Sequence, residues 1–165
     1  VSPSGAPTGR ATSRKLLQAT RVESPVGPLG DASDISLSRH YVAFTAKDPD
    51  APPAWHTRQH IYLVPLDGHA PPKRISLAEN RGWAGTPVIS PNEDMVLFLQ
   101  QYKDGFESDR KVLQAYLMEG GQQVEIFPDW DVSPDTLSFS SDGRTLYAVV
   151  PEDEQRKVSA CLLDA

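Results

Sequence analysis

A short pattern of apolar and polar positions recurs three times along the chain. In the middle copy, at 89–99, an apolar residue and a serine precede a polar turn, and an unbroken apolar run follows. Similar copies stand at 35–44 and at 139–149. The copies align when Ser36, Ser90 and Ser140 are matched, each followed by a four-residue turn. A repeat of roughly 40–50 residues built from short strands is typical of a β-propeller, with one blade per repeat.

This period predicts an all-β chain, a partial β-propeller of about two and a half four-stranded antiparallel blades. The predicted blades lie at 31–78 and 79–129, and an incomplete blade lies at 130–165. The predicted strands are at 35–37, 41–45, 60–66, 73–77, 86–89, 95–100, 112–118, 123–127, 137–140, 145–150 and 157–163. Propellers usually close with four to eight blades, so we expect the chain to be a fragment of a larger protein.

Residues 1–30 differ in composition from the rest, with four prolines and four glycines. Residues 15–19 indicate a short strand, the outer strand of a preceding blade. Residues 24–30 contain two prolines, which lack the amide hydrogen, and two glycines, which lose much entropy on ordering. We therefore interpret 1–30 as a linker with that one strand.

The apolar pattern also predicts how deeply each strand is buried. Residues 95–99 are apolar throughout, which indicates a strand covered on both faces. Residues 113–117 include polar side chains, which indicates more contact with water. We therefore expect inner strands to pack between blades and outer strands to meet solvent.

Composition and charge limit the fold and the binding partners that we expect. Of the 165 residues, 39% are hydrophobic, enough for a packed core, and the 15 prolines and 11 glycines favour short strands over long helices. The net charge of −6 gives little support for binding nucleic acid or an anionic membrane, so we expect neither partner. The single cysteine, Cys161, lies in an alternating stretch and is expected to be a small packed residue.

Several of these segments resemble a known family. They are the blade motifs at 89–94 and 139–147, the loop at 44–50, residues 57–59 and the stretch at 23–28. With them the sequence resembles the N-terminal β-propeller of the prolyl oligopeptidase family of serine peptidases, and within it the secreted dipeptidyl-peptidase V type of fungi. The resemblance extends from about residue 20 to the end of the chain.

The resemblance implies a division of labour between two domains. In such enzymes a propeller covers an α/β-hydrolase domain that holds the Ser, Asp and His, and it admits peptides while excluding folded proteins. The expected function is therefore part of the substrate-gating propeller of a secreted serine dipeptidyl peptidase, which removes dipeptides. The expected partners are the peptide substrate and the α/β-hydrolase domain of the same parent chain. Secretion is implied by the resemblance alone.

Two alternatives remain open at this point. The turn motif also occurs in TolB-like and tricorn-like propellers, so it specifies the fold better than the function. One alternative is a non-enzymatic TolB-like propeller that binds a protein partner. The other is a relative of the acylaminoacyl peptidases or oligopeptidases, with a different substrate length.

No catalytic motif is found in the sequence. A hydrolase of this kind needs Gly-x-Ser-x-Gly, in which a tight turn exposes the serine. Residues 5–9 have the glycine spacing but carry Pro7 at the nucleophile position, and the P-loop, Gly-x-Gly-x-x-Gly and His-Glu-x-x-His motifs do not occur. We therefore predict no catalytic, cofactor-binding or metal-binding residue in this chain, and no cofactor.

Other chemically interesting groups have ordinary explanations. His56 and His60 have the spacing of a helical metal site, but nearby prolines argue against a helix. Asp48 and Asp50 fit a solvated turn better than a cation site. The acidic turn at 152–154 suits a solvated hairpin, although carboxylates in related dipeptidyl peptidases hold the substrate's amino terminus. We assign three tryptophans to packing between blades rather than to the wall of a funnel: Trp55, Trp83 and Trp130.

Overall fold

The computed structural model describes residues 13, 15–17, 21–50, 56–77, 79, 81–152 and 155–163. These residues contain no α-helix, and their strands form three antiparallel sheets. A single 3-10 turn at Ala32–Asp34 comes before the first strand. Among the described residues no helix has the length and apolar character needed to cross a bilayer.

Each sheet is built from strands that follow one another along the chain. The first contains β1 (Ile35–Leu37), β2 (Tyr41–Lys47), β3 (Gln59–Pro65) and β4 (Lys73–Arg74). The second contains β5 (Ala84–Ile89), β6 (Met95–Gln100), β7 (Val112–Leu117) and β8 (Gln123–Glu125). The third contains β9 (Thr136–Phe139), β10 (Thr145–Glu152) and β11 (Gln155–Leu162). Two four-stranded sheets and one three-stranded sheet confirm the predicted all-β partial propeller.

The eleven strands predicted from residue 35 onwards are all present, with shifted ends. β4 and β8 are shorter than predicted, ending at Arg74 and Glu125. Shortly after β8, Phe127 has a φ of 53°, in the left-handed region that strands do not use. The strand predicted at 15–19 is not seen in its described part, because Leu16 and Leu17 lie in a turn. Its residues 18–19 lie outside the described part.

The repeated serine closes the turn between the first two strands of each sheet. Ser90 accepts a hydrogen bond on Oγ from the N–H of Met95 at 3.0 Å, and Ser140 accepts one from Thr145 at 2.9 Å. In the first sheet Ser38 does this, accepting from the N–H of Tyr41 at 3.1 Å. The alignment of Ser36 with Ser90 is therefore wrong, because the first turn is two residues shorter than the others. Ser36 instead accepts a hydrogen bond from the N–H of Ile89 in the second sheet, at 3.0 Å.

The core lies between successive sheets. β6 shows this best, because neighbouring side chains on a strand point to opposite faces. Val96 and Phe98 pack with Ala43, Ile61 and Leu63 of the first sheet. On the opposite face, two β6 leucines pack with residues of β9 and β10: Leu97 and Leu99 against Leu137, Leu146, Ala148 and Val150. Burial of β6 on both faces is thus confirmed.

The predicted gradient from buried inner strands to solvated outer strands holds for outermost β8, which is mostly exposed, but it is wrong for β1 and β7. On innermost β1, Leu37 is 71% exposed, whereas β7 is buried along most of its length, including Gln114. Gln114 tolerates burial because its amide bonds to side chains on both sides, accepting from Gln123 at 2.9 Å and donating to the Tyr102 hydroxyl at 3.1 Å. The polar residue Gln114 therefore belongs to a buried hydrogen-bond network and does not indicate a solvent-exposed strand.

Candidate functional site

An open cavity of about 460 Å³ lies at the end of the first two sheets where β2 and β6 terminate. Three chain segments surround it: residues 26–34 before β1, the β2–β3 connection and the β6–β7 connection. The residues that line it are Val26, Gly27, Pro28, Leu29, Gly30, Asp34, Lys47, His56, Thr57, Gln59, Trp83, Gln101, Glu107 and Lys111. Its volume is in the range of small-molecule sites, roughly 300–1,000 Å³.

Two polar residues of the wall come from the ends of adjacent strands. Lys47 is the last residue of β2 and Gln59 the first of β3, and they are directly opposite each other in the antiparallel register. Side chains opposite each other in a sheet share a face. The pair therefore presents an ammonium and an amide together at the cavity. Lys47 has no hydrogen-bond or ion-pair partner for its ammonium among the described residues.

Trp83 supplies the aromatic part of the wall. A side chain at Gly85 would place a Cβ 2.2 Å from the Trp83 ring, so the indole lies directly against the backbone of β5. The ammonium of Lys111 lies over the Trp83 ring, 5.4 Å from its centroid, and 3.8 Å from the Asp135 carboxylate. Trp83 also packs against the core between the second and third sheets. Trp83 therefore packs between sheets, as predicted, and also lines the cavity.

The β2–β3 and β6–β7 connections are held together by Asp104. Its carboxylate accepts from the Thr57 N–H at 3.0 Å and from Arg58 Nε at 2.8 Å, and the Gly105 N–H donates back to Thr57 Oγ1 at 3.0 Å. Loss of hydration raises the pKa of Asp104, but the hydrogen bonds from Arg58 and Thr57 outweigh it and hold the pKa below its ordinary value. Asp104 is therefore an ionised link across the cavity rim.

Gln101 shapes the connection that carries Glu107. Its amide nitrogen donates to the carbonyl oxygens of Glu107 and Asp109, at 2.9 and 2.6 Å. Asp109 in turn accepts from the N–H groups of Tyr102 and Lys103. These bonds fold the connection back on itself and bring Glu107 to the cavity. No described residue pairs with the Glu107 carboxylate.

His56 contributes an imidazole with one unused nitrogen. Its Nδ1 accepts a hydrogen bond from the Arg58 N–H at 3.0 Å. A neutral imidazole that accepts on Nδ1 carries its proton on Nε2. That Nε2 is shielded from solvent and has no hydrogen-bond partner among the described residues. This donor is therefore buried and unsatisfied within the described part of the chain, and it is not exposed to the cavity.

The segment before β1 is fixed by Asp34. One carboxylate oxygen of Asp34 accepts from the Val26 N–H at 3.0 Å, and the Gly30 N–H donates to the Val26 carbonyl at 2.5 Å. A Cβ at Gly30 would lie 2.3 Å from the Val26 nitrogen, so only glycine fits there. This loop closes one side of the cavity with the apolar side chains of Val26, Pro28 and Leu29.

A serine, a histidine and an aspartate also meet beside the first sheet. Ser76 Oγ is 3.4 Å from His60 Nδ1, and His60 Nε2 is 3.7 Å from Asp48. Ser76 and His60 are both buried, and Ser76 Oγ also accepts from the Ile61 N–H. Burial lowers the pKa of His60, helped by Arg74, and Asp48 opposes this only in part. A substrate cannot reach this serine, so the group is structural.

The other residues considered in the sequence analysis do not line the cavity. Asp50 pairs with Arg21 at 3.0 Å on the surface, and His69 contacts Asp67 at 2.5 Å. Glu152 pairs with Lys157 at 3.2 Å across the β10–β11 hairpin, while residues 153–154 and Trp55 lie outside the described part. Trp130 packs beside the core of the second and third sheets. Within the described ranges, no three His, Cys, Asp or Glu side chains are close enough to hold a metal ion.

Sequence reasoning did not find the cavity residues as a set. Lys47, Gln59, Gln101 and Lys111 are far apart in the chain and match no motif. A signal does exist, because each stands within two residues of the end of a predicted strand, and antiparallel order brings those ends to one edge of the sheets. Strand order within each sheet was predictable, but the packing of one sheet on the next was not.

Curated proteins with similar sequences include several fungal peptidases. The chain is 38% identical over 144 residues to a probable dipeptidyl-peptidase 5 of Aspergillus clavatus, covering 81% of this chain and 20% of that protein. It is 37% identical over 134 residues to dipeptidyl-peptidase 5 of Aspergillus fumigatus, covering 75% and 19%. With the probable dipeptidyl-peptidase 5 of Arthroderma benhamiae it shares 33% identity over 163 residues, covering 92% and 22%.

The chain is homologous to the dipeptidyl-peptidases 5. The resemblance drawn from the motif residues is thereby confirmed. The chain spans about a fifth of the length of these dipeptidyl-peptidases. No protein-family model matches it.

A solved structure supports the fold independently. The tricorn protease superposes with a TM-score of 0.50 over 79% of this chain and 13% of its own, at 17% identity. At that identity the likeness concerns the fold and not the chemistry. This likeness agrees with the three-sheet arrangement of the present chain.

Proposed function

We propose that this chain is part of the β-propeller that controls peptide access in a secreted serine dipeptidyl peptidase. The observation that carries the proposal is the 33–38% identity to dipeptidyl-peptidases 5 over most of the chain. The sequence contains no Gly-x-Ser-x-Gly. The role proposed for this region is therefore selection and positioning of the peptide, with acyl transfer carried out by another domain of the parent protein.

The third sheet has an apolar face that suits a further blade. Tyr147, Val158 and Leu162 are 43%, 71% and 73% exposed. The β10–β11 register pairs Tyr147 with Ala160, which puts all three side chains on one face. The opposite face of this sheet is covered by the second sheet, and the first sheet covers the second in turn. A fourth sheet packed in the same way would complete this series, which supports membership of a larger propeller.

The activity is tested with the intact parent protein. We expect it to release the chromophore from dipeptidyl p-nitroanilides with a free amino terminus and not from their acetylated counterparts. A serine-directed fluorophosphonate should stop the reaction. Cleavage of acetylated reporters alone would favour an acylaminoacyl peptidase, and absence of any hydrolysis would favour a non-enzymatic propeller.

Gating is tested with one cleavable sequence in two settings. The same N-terminal dipeptide is placed on a short unstructured peptide and on a stably folded domain. We expect release from the short peptide only, because a propeller lid excludes bulky substrates. Equal rates would contradict the gating role while leaving the peptidase activity in place.

Secretion is tested separately, by looking for the protein in the culture medium of its host.

A further inference from the structure

His60, on β3, is a buried histidine whose two ring nitrogens have different neighbours. Its side chain is 1% exposed, with Ser76 Oγ 3.4 Å from Nδ1 and the Asp48 carboxylate 3.7 Å from Nε2. Ser76 Oγ already accepts from the Ile61 N–H at 3.2 Å, so its own hydrogen can be donated to Nδ1. An imidazole that accepts on Nδ1 carries its proton on Nε2, which here faces Asp48. The surroundings therefore suit a neutral ring.

A second proton on His60 disturbs this arrangement. Protonation makes Nδ1 a donor, so the hydroxyl hydrogen of Ser76 loses its acceptor. The Asp48 carboxylate lies 3.7 Å from Nε2, beyond the range of a direct hydrogen bond, and its other oxygen accepts from the Asp50 N–H at 3.0 Å. A buried charge without a closely bonded partner is unfavourable. The charged ring is therefore more stable in water than in this position.

Two arginines on neighbouring elements make the charged ring less stable still. Arg74 lies on β4, and Arg58 lies in the β2–β3 connection. Burial lowers the pKa of His60 below its ordinary value of 6.5, and repulsion by Arg74 and Arg58 lowers it further. Asp48 opposes these effects only in part. Acidification therefore sets the imidazolium against Arg74 on the adjacent strand.

The other titratable groups around His60 keep their charge state in the acid range. Loss of hydration raises the pKa of Asp48, but a backbone hydrogen bond and the nearby His60 hold it below its ordinary value. Burial raises the pKa of Tyr62, so its phenol stays neutral. His60 is therefore the group of this cluster that changes charge between neutral and mildly acidic pH.

β4 is the strand that can move with the least loss of contacts. It is two residues long, lies at the edge of the first sheet and pairs with only two residues of β3. Just beyond it, the Ile75 N–H donates to the Ile61 carbonyl at 2.9 Å, and Ser76 Oγ accepts from the Ile61 N–H. Separation of this segment from β3 would admit water to His60, free the Ser76 hydroxyl and take Arg74 away from the ring.

The same edge also contacts the second sheet. Lys73 Nζ donates to the Tyr116 hydroxyl at 2.9 Å, and the Leu77 N–H donates to Gln123 Oε1 at 2.8 Å. Both donors belong to β4 or to the residues directly after it. A movement of β4 would therefore loosen two polar contacts between the first two sheets.

We propose that His60 is an acid-sensitive switch, whose protonation repels Arg74 and releases β4 and residues 75–77 from β3. Because the folded-state pKa of His60 is the lower one, the neutral ring stabilises this edge above about pH 6.5. That contribution is lost as the pH falls below this value towards the folded-state pKa. The switch depends on the buried ring and the short strand, and it is independent of the proposed peptidase function.

Hydrogen exchange of the intact parent protein, read by mass spectrometry between about pH 7 and pH 5, tests the switch. An unstructured reference peptide in the same buffers corrects for the pH dependence of chemical exchange. We expect the protection of peptides that cover β3 and β4 to fall by up to about tenfold for each pH unit below about 6.5. Peptides that cover β10 and β11 should keep their protection.

Three variants assign the effect to His60 and Arg74. His60→Gln keeps an amide oxygen that can accept from Ser76 but does not titrate, so the protection of β3 and β4 should no longer depend on pH. Arg74→Met removes the repelling charge and should make the acid-dependent loss smaller than in the wild type. His69→Gln, which removes an exposed histidine of the β3–β4 connection, is the matched control and should behave as the wild type does.

The outcomes that contradict the switch are distinct. Protection of β3 and β4 that does not change with pH in the wild type would overturn it, and so would an equal loss in His60→Gln. If His60→Gln does not fold, Arg74→Met is compared with the wild type. An acid-dependent loss of the same size in these two proteins would also overturn the switch, because repulsion of Arg74 would then not drive the release.

Discussion

Glu93 and His40 join the first two sheets at the end opposite the cavity. One oxygen of the Glu93 carboxylate accepts from the His40 N–H at 2.8 Å, and the other lies 2.6 Å from His40 Nδ1. Glu93 has a φ of 59°, which is uncommon for a residue other than glycine, and Gly143 occupies the equivalent turn position with a φ of 73°. The contact with His40 explains why a side chain is kept at a position where glycine has less strain.

The first prediction concerns acid stability. Hydrogen bonds from Ser38 and His40 lower the pKa of Glu93 from 4.5 to about 2. Because the folded-state pKa is the lower one, ionised Glu93 stabilises the fold above about pH 4.5, and this contribution is lost as the pH falls towards about 2. Glu93→Gln should therefore make the free energy of unfolding less dependent on pH in this window. Urea titrations measure it, with Glu119→Gln as the control, and identical pH slopes for Glu93→Gln and wild type would refute the prediction.

The second prediction concerns the repeated turn. Ser90 is 1% exposed, and its Oγ accepts from the N–H groups of Met95 and Asp94 at 3.0 and 3.2 Å. Ser90→Ala leaves these partly buried donors without that acceptor, so we expect a loss of about 1–3 kcal/mol in the free energy of unfolding. Ser141→Ala, in the exposed part of the third-sheet turn, should change it by less than about 0.5 kcal/mol. If Ser90→Ala also changed the free energy of unfolding by less than about 0.5 kcal/mol, the motif serine would not be needed for stability.

The third prediction concerns the aromatic wall. In Gly85→Ala the new Cβ would start 2.2 Å from the Trp83 ring, so the indole must move. We expect a destabilisation of about 1–3 kcal/mol and a changed tryptophan emission spectrum. Gly27→Ala is the matched control, since a Cβ there meets no atom within 4 Å. An unchanged spectrum in Gly85→Ala would contradict the close packing of Trp83 on β5.

The fourth prediction concerns the cavity rim. Asp104→Asn weakens the charge-assisted bond to Arg58, and such bonds contribute about 1.5–3 kcal/mol. We expect the amide hydrogens of Thr57 and Gly105 to exchange at least about tenfold faster, because their bonds join the two connections. Asp129→Asn, at an exposed position after β8, provides the control. Unchanged exchange at both amides would mean that Asp104 does not hold the rim.

Local pattern was sufficient for the strands because their causes are local. The apolar run at β6 predicts a doubly covered strand, and the turn residues around Ser90 and Ser140 mark where strands reverse. The same local reasoning failed at Ser36, because a turn two residues shorter moves the structural role to Ser38. Local reasoning also failed at Gln114, because an amide side chain whose hydrogen bonds are satisfied within the fold can be buried like an apolar side chain.

The candidate site depended on contacts between distant segments. Thr57 and Asp104 are 47 positions apart, and nothing in either neighbourhood predicts their hydrogen bond. Lys47 and Glu107 line one cavity although they are 60 positions apart in the chain. That fact is a property of the packed molecule and is invisible in the pattern of residues.

The sequence by itself determined the all-β class and the repeated blade, because strand periodicity and turn chemistry act over a few neighbouring residues. Its motif residues also carried the resemblance to dipeptidyl peptidases. Only the tertiary structure decided which strand ends meet, which charges remain unpaired and where the cavity lies. The physical reason is that sheet-on-sheet packing brings together side chains about 50 positions apart, and their hydrogen bonds and charges depend on distance in space rather than on order along the chain.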